Sequence, residues 1–316
     1  MPGSLRNRIS LALRRLGVIL AVLWGAATIT FIAVKAIPGD PVSVLTGGEN
    51  VVDAAEREAL IRQFGLDQPL PVQYARYIGQ AMLGDFGQSY QYRQPVIEVV
   101  GEAAGPTLQL AGTAMVLALV LAFINAQATA GRRQGLRSVL SALELAVLST
   151  PVYWIGLLLL TVFSFQLGWF PIIGGEGFRA LILPAIALSL PLAALLSQVL
   201  RDGMEEALSQ PFALTVRTRG VSETALRLRH ALRHAALAVS TLTGTLFAGV
   251  LSGSILTETV FGRAGIGQIT LQAIKTRDMP LLLGLVMLSA LVSVLINLLV
   301  DALYLLIDPR LRRAGA

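Results

Sequence analysis

The stretch RDGMEEALSQPFALTVRTRGVSETALRLRHALR, Arg201–Arg233, decides how the chain is read. It carries six arginines and stands between two long apolar runs. Its pattern predicts two helices, about Met204–Arg219 and Ser222–Leu237, with Gly220 as the turn between them. Ser222 is placed to cap the second helix, and Glu223 puts a negative charge in its first turn. Arg217 and Arg219 flank the turn, with Thr215, Thr218 and Val221 beside them, while Phe212 and Leu214 offer apolar anchors. Two short helices meeting at an angle make a knuckle that projects from a membrane and fits a cleft in a partner. The plainer reading is a solvated basic loop that fixes orientation by charge alone. Capping signals and apolar anchors favour the knuckle.

Working outward, the chain is strongly apolar. Of 316 residues, 54% are hydrophobic and 14% charged, against roughly a quarter charged in soluble domains; mean hydropathy is +0.69. Apolar windows at Leu16–Ala36, Leu108–Ala128, Leu145–Leu167, Leu181–Leu200, Ala236–Val260 and Leu281–Ile307 are long enough to cross about 30 Å of hydrocarbon as helix. The expected fold is therefore an all-α polytopic membrane protein with six transmembrane helices. The first window is a span rather than a cleaved leader, because it ends in Lys35-Ala-Ile-Pro-Gly and not in a small-residue cleavage site. Pro151 falls in the third window, Pro184 and Pro191 in the fourth. Kinks there are tolerable because neighbouring helices can satisfy freed carbonyls.

With both termini inside, sixteen arginines lie on inner segments: Arg6 to Arg15, Arg132 to Arg137, Arg201 to Arg233 and Arg310 to Arg313. The longer outer segments hold eight basic residues. That asymmetry predicts cytoplasmic termini and a cytoplasmic 201–235 loop, and it accounts for the net charge of +6 without nucleic acid. Three parts follow: 1–37, the N-terminus and first span; 38–105, a small extracytoplasmic subdomain; and 106–316, a five-span core. The subdomain should contain a helix at Val51–Phe64, closed by Gly65, and a second one starting at Pro71.

Several chemistries are excluded. The chain has no cysteine, hence no disulfide, thiolate metal site or cysteine nucleophile. His230 and His234 have zinc-ligand spacing, but Ala231 follows the first where the HExxH pattern needs glutamate. Ser252-Gly-Ser254 has no base at its depth to activate it as a protease nucleophile. No Gly-rich loop ends in Gly-Lys-Ser/Thr, so ATP and Mg, if they drive transport, belong to another polypeptide. Glu144 and Asp301 lie toward span ends, leaving no carboxylate centre of the kind that drives an ion-coupled carrier, the alternative function. The fifth window is instead rich in hydroxyls and glycine: Thr241, Gly244, Thr245, Gly249, Ser252, Gly253 and Ser254. Such a helix suits a wet passage or close packing, with Gly249 and Gly253 spaced for helix contact.

Arg217-Thr-Arg-Gly220-Val-Ser followed by Arg229-His-Ala-Leu-Arg233-His234 resembles the cytoplasmic loop of permease subunits of ATP-binding cassette importers for dipeptides, oligopeptides and nickel or metal chelates. Outer motifs agree at Pro38-Gly-Asp40-Pro, Gly65-Leu-Asp67-Gln-Pro and Gly84-Asp85-Phe-Gly87. Pro106-Thr-Leu108 and Leu167-Gly-Trp-Phe-Pro171 agree as well, as do Thr257-Glu258-Thr-Val-Phe261, Gly265-Ile-Gly267, Arg277-Asp278 and Asp308-Pro-Arg310. The resemblance implies a bacterial inner-membrane protein paired with a second permease, two cytoplasmic ATPase subunits and an extracytoplasmic solute-binding protein. It implies no cofactor in this chain, a translocation pathway for peptides, nickel or metallophores, and a coupling helix around Gly220 before the fifth span. The general importer loop reads Glu-Ala-Ala-x-x-x-Gly, whereas Leu214-Thr-Val216 stands here in place of the first three. The resemblance therefore supports docking but no glutamate-specific contact.

Overall fold

The computed structural model describes residues 3–36, 54–65, 67–132, 134–175 and 177–307. Among them helices dominate: α1 Gly3–Ala36, α2 Ala54–Phe64, α3 Leu70–Met82, α4 Val96–Thr129, α5 Gln134–Ser149, α6 Val152–Leu159, α7 Phe178–Ser209, α8 Pro211–Thr218, α9 Glu223–Ala225, α10 Leu232–Gly253, α11 Ile255–Phe261, α12 Ile266–Lys275 and α13 Met279–Ile307. The backbone widens into π turns over Leu160–Gln166 after α6 and over Leu226–Ala231 between α9 and α10. Four helical runs are long and apolar enough to cross a membrane: Val96–Thr129, Phe178–Ser209, Glu223–Leu251 and Met279–Ile296. Gly17–Ala33 is a shorter apolar stretch.

The expected third span is broken. Pro151 caps α6, and the flanking helices turn by 102°. Proline removes a helix donor and clashes with the preceding turn, and with extended backbone at Pro151 (ψ 138°) the axis redirects rather than kinks. In contrast, Pro184 and Pro191 sit inside an unbroken α7. The fifth window is also interrupted, at Ser254 between α10 and α11. Of the outer helices, α2 ends at Phe64 with Gly65 in a left-handed conformation (φ 60°), and α3 begins at Leu70. Asp40 and residues 51–53 lie outside the described residues.

The chain forms two compact units, Met1–Gly105 with Gly265–Val294, and Pro106–Ala264 with Leu295–Ala316. In the first, α1 and α3 meet through aromatic packing of Phe31 on Tyr74 and Tyr77, and a 2.7 Å hydroxyl hydrogen bond joins Thr28 and Tyr74. Its apolar core brings Val96, Val99 and Val100 of α4 against Ile269 and Ala273 of α12 and Leu281, Leu282 and Leu285 of α13.

The second unit is organised around α7, whose apolar window is 67% buried, against 11% for Glu223–Leu251. Ala111, Ala114, Ala118 and Ala122 of α4 pack against Leu181, Ala185, Leu188 and Leu192 of α7. Further along, Ala126 and Ala130 meet Leu200, Met204 and Ala207, closed by Ala231 and Ala235. Alanine-lined faces let helices approach closely where lipid supplies no hydrophobic drive. One such approach is at Gly203, where an added Cβ would stand 2.9 Å from Ala235 Cβ. Gly249, expected to make a helix contact, meets none among the described residues: it is exposed, and a Cβ there has nothing within 4 Å.

Gly203→Val should therefore lower the melting temperature of the detergent-purified protein, because the α7–α10 contact must open to admit the side chain. Gly249→Ala should leave it unchanged. Equal effects of the two substitutions would contradict this packing.

Candidate functional site

The basic segment folds as an elbow. α7 runs on to Ser209 and the chain breaks at Gln210 (ψ 153°), so the first predicted helix of the loop is two pieces, the tail of α7 and the short α8. Pro211 opens α8, where its missing N–H costs nothing. Gly220 then turns the chain with φ 76°, a region that a β-branched residue avoids. The Ser222 hydroxyl accepts from Ala225 N at 3.3 Å and caps the next helix. Arg217 Nε donates to Glu223 Oε1 at 2.7 Å, tying the two arms across the turn. This hydrogen bond and the Glu223 charge raise the Arg217 pKa.

The elbow has an inward and an outward side. Phe212, expected to be an anchor for a partner, points inward: it stacks on His234 with ring centroids 5.0 Å apart and packs against the Leu200–Met204–Ala231 cluster. Leu214 is the outward apolar residue, 64% exposed. Thr215, Arg217, Thr218, Arg219, Gly220 and Ser222 are exposed, and Val221 is half-buried. The stack also gives His234 a packing role.

Beneath the elbow lies a feature that sequence reading missed. Arg201, counted there as a loop charge, is only 4% exposed and grips Glu144 with both nitrogens, Nη1 to Oε1 at 3.1 Å and Nη2 to Oε2 at 2.8 Å. Asn125 Nδ2 donates to the same carboxylate at 2.8 Å. Three helices, α4, α5 and α7, are thus joined at one carboxylate. A lone acid in one apolar helix and an arginine ending another each demand a partner, and that was the available signal.

The hydroxyls of α10 behave differently from a packed interface. Thr241 and Thr245 return their hydrogen bonds to carbonyls of their own helix at 2.9 and 3.2 Å. Thr245 is exposed; Thr241 and Gly244 are half-buried. The Ser252 and Gly253 side positions fall outside what is described. Ser254 is buried, and its hydroxyl donates to Glu258 Oε1 at 3.0 Å, where Thr107 Oγ1 also donates at 2.6 Å. Glu258 is thus a buried structural acid that binds α11 to α4 and the helix break.

Asp278 plays the corresponding part in the first unit. Fully buried, it accepts from Ser89 Oγ at 2.5 Å, Gln91 N at 3.0 Å and Leu281 N at 3.2 Å. It pins the 88–95 hairpin, closed by the Gln88–Pro95 bridge, to the start of α13. Burial, with help from the Asp278 charge, raises the Tyr90 hydroxyl to about 12. Asp85 is exposed and accepts from Gly87 N at 2.9 Å, and Asp67 is exposed. Of the five outer acids, Asp67, Asp85 and Asp278 belong to the first unit and Glu258 to the second, and Asp40 lies outside the described residues. Among the described residues no group of three His, Cys, Asp or Glu is placed to hold a metal ion.

Helices of membrane-crossing length, joined by an exposed basic elbow over a buried ion pair, are the architecture of a polytopic membrane protein. The family model for the binding-protein-dependent transport system inner membrane component matches residues 114–313, and its N-terminal companion matches residues 9–111. The chain belongs to that family and is a permease subunit of an ATP-binding cassette importer. It is 36% identical over 305 residues to the glutathione transport system permease protein GsiC of Salmonella paratyphi A (strain ATCC 9150 / SARB42), covering 96% of this chain and 99% of that protein. The protein of the same description from Escherichia coli (strain K12) is 35% identical over the same length. The fold is shared with a chain of an amino acid ABC transporter crystallised with histidines, at TM-score 0.52 and 16% identity over 66% of this chain and 93% of that one. It is also shared with the MetNI methionine ABC transporter in an inward-facing conformation, at TM-score 0.51 and 16% identity over 67% and 96%.

Glu144→Ala should destabilise the detergent-purified protein by about 3–5 kcal/mol, because Arg201 is left buried without its acid. The paired replacement Glu144→Leu with Arg201→Met should recover much of that loss. A double-mutant cycle on thermal unfolding measures the coupling, and additive effects would contradict a functional pair.

Proposed function

We propose that this permease subunit forms half of a passage for short peptides or peptide-like solutes such as glutathione, and that its 201–235 elbow is the coupling helix seated in a groove of a partner ATPase. The observation that carries the reading is the elbow itself: a left-handed glycine at its tip, exposed Leu214 and Arg219 on its outer side, and Phe212 locked beneath. Stacked on His234 and capped by Ser222, the tip moves with α10 as one piece. The proposed assembly contains a second, similar permease, two ATPase subunits that bind ATP and Mg, and an extracytoplasmic solute-binding protein. Both termini are cytoplasmic, in keeping with the arginine asymmetry. The half-exposed threonine and glycine face of α10, with Thr241, Gly244, Thr245 and Gly249, lines the passage. The outer unit, with Asp67, Asp85 and the hairpin held by Asp278, faces the binding protein. Near full-length identity to permeases described for glutathione supports the substrate class. A nickel chelate or metallophore is the competing class.

In the proposed cycle, ATP-driven closure of the ATPases shifts the elbow between two seated positions and biases the spans between inward- and outward-facing states. Gly220→Val should abolish ATP-driven glutathione uptake by the reconstituted complex, because valine cannot hold φ 76°. Membrane insertion should remain intact. Leu214→Asp should weaken co-purification of the ATPase without altering the melting temperature of the permease. Normal uptake by Gly220→Val would remove the elbow from the mechanism. Uptake of a nickel chelate but not of glutathione would overturn the substrate class alone.

A further inference from the structure

One cation on the second unit has no assigned task. Arg227 lies in the π turns between α9 and α10 and is only 7% exposed. Among the described residues no acid is within ion-pair distance of its guanidinium, and its buried Nε has no hydrogen-bond partner. Removing a guanidinium from water without compensating hydrogen bonds is expensive, so such a group signals a ligand supplied from outside the chain. The surrounding charges sharpen the point. Arg132 and Arg217 repel it, and the one nearby attractive charge, Glu223, is held by Arg217 Nε. The surroundings of Arg227 therefore carry an excess of positive charge that nothing among the described residues neutralises.

Geometry narrows the ligand. Gly131, in the turn after α4, has φ 63°, and a Cβ there would lie 3.9 Å from Arg227 Nη2 and 3.1 Å from Leu208 Cδ1. The turn thus passes close over the guanidinium and brings the exposed Arg132 to its edge. Arg132 stands just past the end of the Val96–Thr129 span, and Arg227 just inside the start of the Glu223–Leu251 span. Both lie at the ends of segments that are long and apolar enough to cross a membrane. π segments interrupt helices most often at functional positions, and this one places Arg227 on the inside.

We propose that Arg227 and Arg132 form a binding site for a single phosphate group, supplied by the headgroup of an anionic lipid. Guanidinium groups suit phosphate oxygens through paired N–H donors, and basic pockets between spans bind anionic headgroups. Neutralising this charge would steady the root of the elbow against the α4–α5 turn. Whether that leaflet is the inner one rests on the proposed orientation; the phosphate site does not.

The full-length protein in nanodiscs of phosphatidylcholine with phosphatidylglycerol, followed by mild delipidation and native mass spectrometry, tests this. Wild type and Arg227→Lys should retain phosphatidylglycerol, whereas Arg227→Gln and, separately, Arg132→Gln should lose affinity by about five-fold or more each. Arg132→Gln lies in an exposed turn and keeps the test valid if Arg227→Gln fails to fold. In pure phosphatidylcholine nanodiscs, inorganic phosphate distinguishes the sources. Stabilisation by phosphate to the level given by the lipid identifies a free-anion site, and stabilisation by the lipid alone identifies a headgroup site. Undiminished retention of phosphatidylglycerol by both glutamine variants would overturn the site. So would loss of ATPase association in Arg227→Gln with lipid retention unchanged, since the missing partner would then be a protein acid.

Discussion

The structure of the second unit depends on one buried carboxylate. Glu144 receives two bonds from Arg201 and one from Asn125, so that α4, α5 and α7 are joined by a single charged node. Apolar packing cannot fix helix rotation here, because the alanine-rich faces of α4 are nearly interchangeable from one turn to the next. A charge pair can, since any rotation of α7 would leave a guanidinium in an apolar environment. The node also sets where the elbow begins. Arg201 lies two turns before the break at Gln210, so the part of α7 that leaves the bundle is held at its base. That gives the exposed tip a rigid foundation, without which force applied there would be dissipated in bending.

The proline residues show how the same chemistry yields two outcomes. Pro184 and Pro191 are accommodated inside the most buried helix, where neighbours close around the freed carbonyls. Pro151 is exposed and turns the chain by 102°. With nothing packed around it to hold a helical axis, its extended conformation prevails. The bent segment then wraps α7 through Ile155, Leu160, Leu183 and Ala187, and Phe261 of α11 joins the same cluster.

Much of this was legible in the sequence. Four of the six expected spans, the turn at Gly220, the Ser222 cap and the α2 and α3 helices of the outer part follow from local signals: hydropathy, capping residues and glycine conformation. What was not legible depends on distant partners. Nothing local distinguishes Arg201, buried and paired, from Arg219, exposed and free to meet a partner. Phe212 and Leu214 read alike as apolar loop residues, and only the position of His234 one helix later decides which of them faces inward. Gly249 and Gly203 invert the expectation from spacing. The residue with the helix-contact pattern is open among the described residues, and the one without it makes a close approach, because a pattern on one helix is silent about the other.

The elbow and the Ser254 break are two ends of one helical element. From the Ser222 cap to Gly253 the chain runs through α9, the π turns and α10 without a break. At 1.5 Å per residue that is about 45 Å, longer than the roughly 30 Å of hydrocarbon it has to cross. At the near end it is clamped to the tail of α7 by Gly203 against Ala235. At the far end the Ser254 hydroxyl meets Glu258, which Thr107 of α4 also holds. Between those ends Val239, Leu242, Leu246, Phe247, Val250 and Leu251 pack against the α4–α7 cluster. On the proposed coupling, a displacement at the elbow is carried along an element packed on α7 and arrives at the Ser254–Glu258–Thr107 node, where the helix breaks.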